Sequence, residues 1–173
     1  MLTPRYSPAD LRKELKPALS LISEKLSPLP QVGTYGNGIL TILDVATSKT
    51  LLQSWGEILG SGLVPLATTG FGDVFAWDAA KGVCFLEVQR ADSEPIGPDL
   101  QRFLRDFLGN PKIAEAVLKE SKFQQLVQLK GALQYGQCFI LEPWQMLGGV
   151  DKLENYSIGQ SAVFIDLVGQ THQ

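Results

Sequence analysis

The chain contains one histidine, His172, whereas nucleophilic triads and zinc sites normally draw on several. A residue so close to a chain end frays too readily to hold a ligand or base with catalytic precision. Cys84 and Cys138 are the only thiols. Each sits in an apolar strand-like run, Val83-Cys84-Phe85-Leu86 and Gln137-Cys138-Phe139-Ile140. Without partner histidines they form no metal site, and they read as two buried free thiols, not a disulfide. Among the 18 acids, Asp73 and Asp78 bracket one expected strand and Glu142 follows another. Paired carboxylates could perform glycosidase or metal chemistry, but none of these spacings is specific. Gly33-Thr34-Tyr35-Gly36-Asn37-Gly38 has the glycines of a dinucleotide loop without the preceding strand and following helix that would place a pyrophosphate on amide donors. Gly70-Phe71-Gly72-Asp73 has neither the residue order nor the surroundings of a kinase metal-binding element. The chain therefore reads as non-enzymatic, with no cofactor or metal expected.

The elements that would position these residues follow from spacing and turn chemistry. Ser7-Pro8-Ala9-Asp10 reads as a helix start, followed by Leu11, Leu15, Ala18, Leu19, Ile22 and Leu26 at helical period, with a kink at Pro17. Loop is expected from Ser27 to Gly38, then a short buried strand over Ile39–Leu43. Thr47 or Ser48 should cap a helix carrying Leu51, Leu52, Trp55, Ile58 and Leu59 on one face, stopped by Gly60. Trp55 reads as core. Leu63–Thr68 reads as a strand. Asp73–Trp77 and Val83–Val88 form a hairpin around Asp78-Ala79-Ala80-Lys81-Gly82, with Val74 and Ala76 on one face and Phe75 and Trp77 on the other. Gln89–Gly97 reads as an exposed connection. A helix over 97–109 carries Leu100, Phe103, Leu104, Phe107 and Leu108. Asn110 then caps a new helix with Pro111 at its first position. A short helix over Lys122–Lys130, a strand over Gln137–Leu141, and a terminal helix from about Ile158 to Gln170 complete the chain. This order implies an α+β fold, a curved and mainly antiparallel sheet with helices packed on one side, in a single domain over 1–173.

At 45% hydrophobic and 19% charged residues, the composition excludes disorder. The net charge of −3 is unevenly spread. Residues 73–99 carry Asp73, Asp78, Glu87, Asp92, Glu94 and Asp99 against only Lys81 and Arg90. This is either an ordinary solvated hairpin surface or an acidic face for a basic partner. No basic run alternates with aromatics, so direct nucleic-acid binding is not expected. No stretch has the roughly 20 apolar residues of a membrane helix. The first residues mix Arg5, Asp10, Arg12, Lys13 and Glu14 ahead of any apolar block, unlike a signal peptide, so the cytoplasm is the expected address.

One pattern is more specific. Gly131-Ala132-Leu133-Gln134-Tyr135-Gly136-Gln137-Cys138-Phe139 is followed in order by Pro143, Leu147-Gly148-Gly149, Asn155 and a last helix ending Leu167-Val168-Gly169-Gln170, while Gly70–Trp77 upstream fits a first hairpin strand. Together these resemble the immunity protein of the type VI secretion DNase effector. In that resemblance an N-terminal helical segment (1–30) precedes a GAD-like region (about 30–130) and the family's C-terminal region (about 131–173). The resemblance implies a cytoplasmic protein that binds and neutralises a cognate secreted nuclease by stoichiometric occlusion, an acidic surface covering a basic one. Contact candidates are Phe71, Asp73, Trp77, Asp78, Asp92, Glu94 and Trp144, since aromatics near charged loops make good anchors. Phe71 and Trp77 read equally as sheet core, and Trp144 as a plug of the sheet edge. The competing reading is a regulatory or scaffold interaction domain of the same fold with no toxin.

Overall fold

Short β-rich runs joined by tight turns pair with their chain neighbours, and the computed structural model shows that outcome over residues 32–60, 62–97, Phe103 and 110–172. Strands β1 (Gly33–Tyr35), β2 (Leu40–Ile42), β3 (Val64–Thr69), β4 (Val74–Asp78), β5 (Gly82–Glu87) and β6 (Asp92–Gly97) form one antiparallel meander in chain order. A second, two-stranded antiparallel sheet pairs β7 (Gln137–Leu141) with β8 (Tyr156–Gln160). The expected N-terminal helix and the helix expected over 98–109, apart from Phe103, lie outside the described residues.

The period-two alternation of β4 explains the core. Val74 and Ala76 join a cluster with Leu86, Val88, Phe164, Ile165 and Val168, while Phe75 belongs to another with Phe103, Phe123 and Phe139. In β7, Cys138 and Ile140 enter the first cluster and Phe139 and Leu141 the second. The Phe139 N–H donates to the Gly70 carbonyl at 2.7 Å, so the small hairpin abuts the β3–β4 turn and prolongs both layers. The α+β class with a mainly antiparallel sheet holds. Helical elements reach both faces of that sheet: α3 (Pro111–Leu118) and α4 (Glu120–Lys130) supply Leu118, Phe123 and Leu126 to one cluster, and the terminal helix α5 (Ser161–Thr171) supplies the other.

Local signals hold where they are strong. Gly82 closes the β4–β5 turn at φ +84°, and Asn110 caps α3 by accepting from the Lys112 N–H at 3.0 Å, with Pro111 in the first turn. Trp55 is fully buried. Cys84 and Cys138 are free and buried.

Four boundaries move. Gly33–Tyr35, expected as loop, is an edge strand, because Thr34 pairs with Thr41. The cap of α1 (Val45–Thr50) is Asp44, whose carboxylate accepts from both the Thr47 N–H (2.8 Å) and its hydroxyl (2.9 Å), while the Ser48 hydroxyl donates to the Pro65 carbonyl instead. That helical stretch continues as a 3-10 turn over Gln53–Trp55 and α2 (Gly56–Leu59), and ends at Gly60 with φ +80°. Asp92–Gly97, expected as a connection, is strand β6, drawn into the sheet by β5. The terminal helix begins at Ser161, since Tyr156–Gln160 is held extended against β7, with Ile158 opposite Phe139.

Tyr135 joins the two halves. Its hydroxyl donates to Asp44 Oδ2 at 2.6 Å and accepts from the Asp44 N–H at 2.9 Å. Burial pushes the Asp44 carboxyl up, but hydrogen bonds from Thr47 and Tyr135 bring it net below the ordinary range, while burial and the Asp44 bond push the tyrosine up to about 12. Tyr135→Phe should lower unfolding free energy by about 1–2 kcal/mol, a charge-assisted bond discounted for partial exposure, read from urea midpoints. The loss should shrink as pH falls through the depressed Asp44 pKa, because a protonated Asp44 no longer favours the folded state.

Candidate docking surface

Helix α5 has the sequence Ser-Ala-Val-Phe-Ile-Asp-Leu-Val-Gly-Gln-Thr, apolar around most of its circumference. Its inward side buries Phe164, Ile165, Val168 and Gly169. A Cβ on Gly169 would lie 2.6 Å from Trp55 Nε1, so glycine lets the helix approach the indole, whose N–H donates to the Ile165 carbonyl at 2.9 Å. His172 packs beyond it, 6.3 Å from the Trp55 ring, with a buried Nε2 that has no hydrogen-bond partner.

The outward side does not follow the rule for a surface helix, which should be polar there. Val163 is 57% exposed and Leu167 44%. Thr171 continues the same i, i+4 line and contacts Met146 through Oγ1···Sδ at 3.9 Å. Asp166 is the only formal charge of the helix, and it accepts from Gln170 Nε2 at 2.8 Å.

Met146 belongs to the loop between β7 and β8. After a cis Glu142–Pro143 peptide, Trp144 sets its ring edge-on to Phe164 at 5.7 Å. A 3-10 turn then spans Gln145–Leu147. The Trp144 carbonyl accepts from the N–H groups of both Leu147 (2.8 Å) and Gly149 (3.0 Å). Gly148 takes φ +84°, and Gly149 lies so close to the Pro143 carbonyl that no Cβ fits. At the far end, Asn155 Nδ2 donates to the Val150 carbonyl at 2.9 Å, and the Asn155 carbonyl accepts from the Glu142 N–H at 2.8 Å. The Leu-Gly-Gly and Asn residues singled out in the sequence thus close one loop. Leu147, 69% exposed, projects from it.

Two struts fix that loop. Gln89 Oε1, on the 3-10 turn Val88–Arg90, accepts from the Gln145 N–H at 3.0 Å. On the other side Lys122 Nζ bonds Asp151 and the Tyr156 hydroxyl, and stands 4.5 Å from the Tyr156 ring and 5.6 Å from that of Phe71. Burial pushes the Asp151 carboxyl up, but bonds from Lys122 and Tyr156 leave it below the usual range.

The contact candidates fall into three places. Phe71, 7% exposed, is core, packed on Phe123, Phe139 and Tyr156. Asp73 is 5% exposed, and its Oδ1 accepts from the Val88 N–H at 3.1 Å. Burial pushes its carboxyl up to about 6 against the pull of Lys119 and the Val88 N–H, and burial with the Asp73 charge pushes the Cys138 thiol up to about 12. Both Phe71 and Asp73 therefore face inward. Asp78, half-buried, accepts from the Ala80 and Lys81 N–H groups in the hairpin turn, beside half-buried Trp77. Asp92 and Glu94 are exposed on β6, opposite Glu87 and Phe85. Half-buried Trp144 and Asp92 flank the Gln89–Gln145 strut, whereas Asp78 is at the other end of the hairpin, so the acids form no single cluster. The outward apolar residues Met146, Leu147, Val163 and Leu167 were not among the candidates, although a helix whose only charge is Asp166 already signalled them. Among the described residues, no group of three His, Cys, Asp or Glu is placed to hold a metal, and no helix is long and apolar enough to cross a membrane.

Residues 99–172 match the family model described as T6SS immunity protein Tdi1, C-terminal. This segment contains α3, α4, the β7–β8 hairpin with its loop, and α5. No curated protein matches the chain. Among solved structures, one titled "Crystal structure of Atu4351 from Agrobacterium tumefaciens" is similar, with a TM-score of 0.64 at 17% identity, covering 96% of this chain and 84% of that one. At that identity the likeness concerns the fold.

Proposed function

We propose that this chain is a cytoplasmic, non-enzymatic immunity protein that binds a cognate secreted nuclease and neutralises it by stoichiometric occlusion. The observation that carries the reading is the match over residues 99–172, a segment that includes both the glycine-closed loop and α5. Region 30–130 would then be the GAD-like part. A nuclease must present a basic path to DNA phosphates, and the exposed acids Asp92 and Glu94 on the edge strand suit such a surface, with half-buried Asp78 a separate contact at the β4–β5 turn. Trp77 and Trp144 are the aromatic contacts, whereas Phe71 and Asp73 lie in the interior and take no direct part.

The test is to search the adjoining reading frames for a secreted nuclease and to co-express it with this chain. The expected result is a one-to-one complex by light scattering, loss of DNase activity in proportion to the protein added, and survival of cells that otherwise lose their DNA. A complex that cleaves DNA at the rate of the free nuclease, or no complex at all, would contradict this function.

A further inference from the structure

We infer that the outward ridge formed by Val163, Leu167, Met146 and Leu147 is the anchoring surface for the nuclease, received by an apolar cleft rimmed with Lys and Arg. This rests on the proposed function and specifies where the partner sits. A surface helix normally turns polar residues outward, and α5 turns Val163 and Leu167 outward beside Asp166 and Gln170. Among the described residues α5 packs on one side, against Trp55 and the sheet, and leaves Val163 and Leu167 outward. The ridge is continuous, because Val163, Leu167 and Thr171 lie one turn apart and Thr171 contacts Met146. Its loop half is held in one conformation by bonds at both ends, so little ordering entropy opposes docking.

Charge selects the occupant. The two elements that display the ridge, the loop from Glu142 to Asn155 and the helix Ser161–Thr171, carry Glu142, Asp151, Glu154 and Asp166 against one base, Lys152. The neighbouring turn and strand add Asp92 and the Glu87–Arg90 pair at 3.2 Å. A second copy would bring acid against acid across a two-fold axis. A basic-rimmed partner meets the same rim with attraction.

The experiment uses the full chain and the adjoining nuclease, with affinity measured by calorimetry. Leu147→Lys combined with Leu167→Lys should leave the thermal midpoint unchanged, since both side chains are solvent-facing, yet weaken binding by about 100-fold or more, as removal of central anchors does, and abolish protection of cells. Leu129→Lys, an equally exposed leucine (58%) on α4, should bind as the unaltered chain does. Failure of the unaltered chain to bind the nuclease defeats the proposed function itself. Binding by the double variant at unaltered affinity, or equal weakening by Leu129→Lys, overturns the ridge alone. Dimerisation of the unaltered chain that the double variant abolishes also overturns it, making the ridge a self-association face.

Discussion

Gly149→Ala is expected to destabilise the protein by about 3 kcal/mol or more, well above the effect of an ordinary surface substitution. The added methyl would fall on the Pro143 carbonyl and come within 3.0 Å of the Trp144 carbonyl. Both neighbours are backbone, so no rotamer change relieves the clash. The loop must open, and with it go the Gly149 and Leu147 bonds to Trp144. Gly148→Ala is the contrast. Nothing lies within 4 Å of its Cβ, so it should cost only about 1 kcal/mol, the strain of a left-handed non-glycine residue. Urea denaturation of the two variants separates steric contact from backbone strain. Equal midpoints would mean that the close approach to Pro143 does not govern the loop. Under the proposed function Gly149→Ala should also weaken the complex with the nuclease, because the loop presents Leu147 and Met146.

Asp73→Asn should stabilise the protein at pH 8 by about 2 kcal/mol and leave it nearly unchanged at pH 4, a difference that follows from linkage. The Asp73 carboxyl is raised from 3.8 to about 6, so the folded state holds its proton more tightly than the unfolded chain. Its stabilising contribution is complete below the unfolded pKa and is lost as pH rises through about 6. At neutral pH the buried carboxylate is ionised at a desolvation cost that Lys119 and the Val88 N–H only partly offset. Asparagine keeps a carbonyl for the Val88 N–H and removes the charge. A gain of the same size at pH 4 and pH 8 would show that the substitution acts through packing and not through ionisation. Asp73 also holds the turn that carries Gln89, the loop's partner, so Asp73→Ala should be destabilising at pH 4 and less so at pH 8, where loss of the buried charge offsets the lost bond.

These expectations place the weight of function on shape. The loop is closed by glycines and an asparagine, tied to α4 by Lys122 and to the β5–β6 turn by Gln89. Its outer residues are then free to meet another molecule without reorganisation, which favours affinity through preorganisation.

Elements with strong local chemistry were legible in the sequence: the β4–β5 hairpin with its glycine, the Asn110-Pro111 start of α3, the alternating faces of β4, the burial of Trp55, and the ordered glycines of the C-terminal third. Each depends on residues close together in the chain. Strands β1, β6 and β8 were not legible, because Gly-Thr-Tyr is short, Asp-Ser-Glu-Pro-Ile-Gly carries two acids and a proline, and Tyr-Ser-Ile-Gly-Gln is interrupted by glycine; they become extended through the partners that β2, β5 and β7 provide. The direction of a side chain was likewise decided by tertiary packing. Phe71 reads equally as core or contact until β7 and β8 close over it, and Asp73, which reads as a contact, is turned inward to the Val88 N–H. The helical period of α5 shows where apolar residues lie around the helix, but only its contact with Trp55 decides which of them are core and which form the outward ridge.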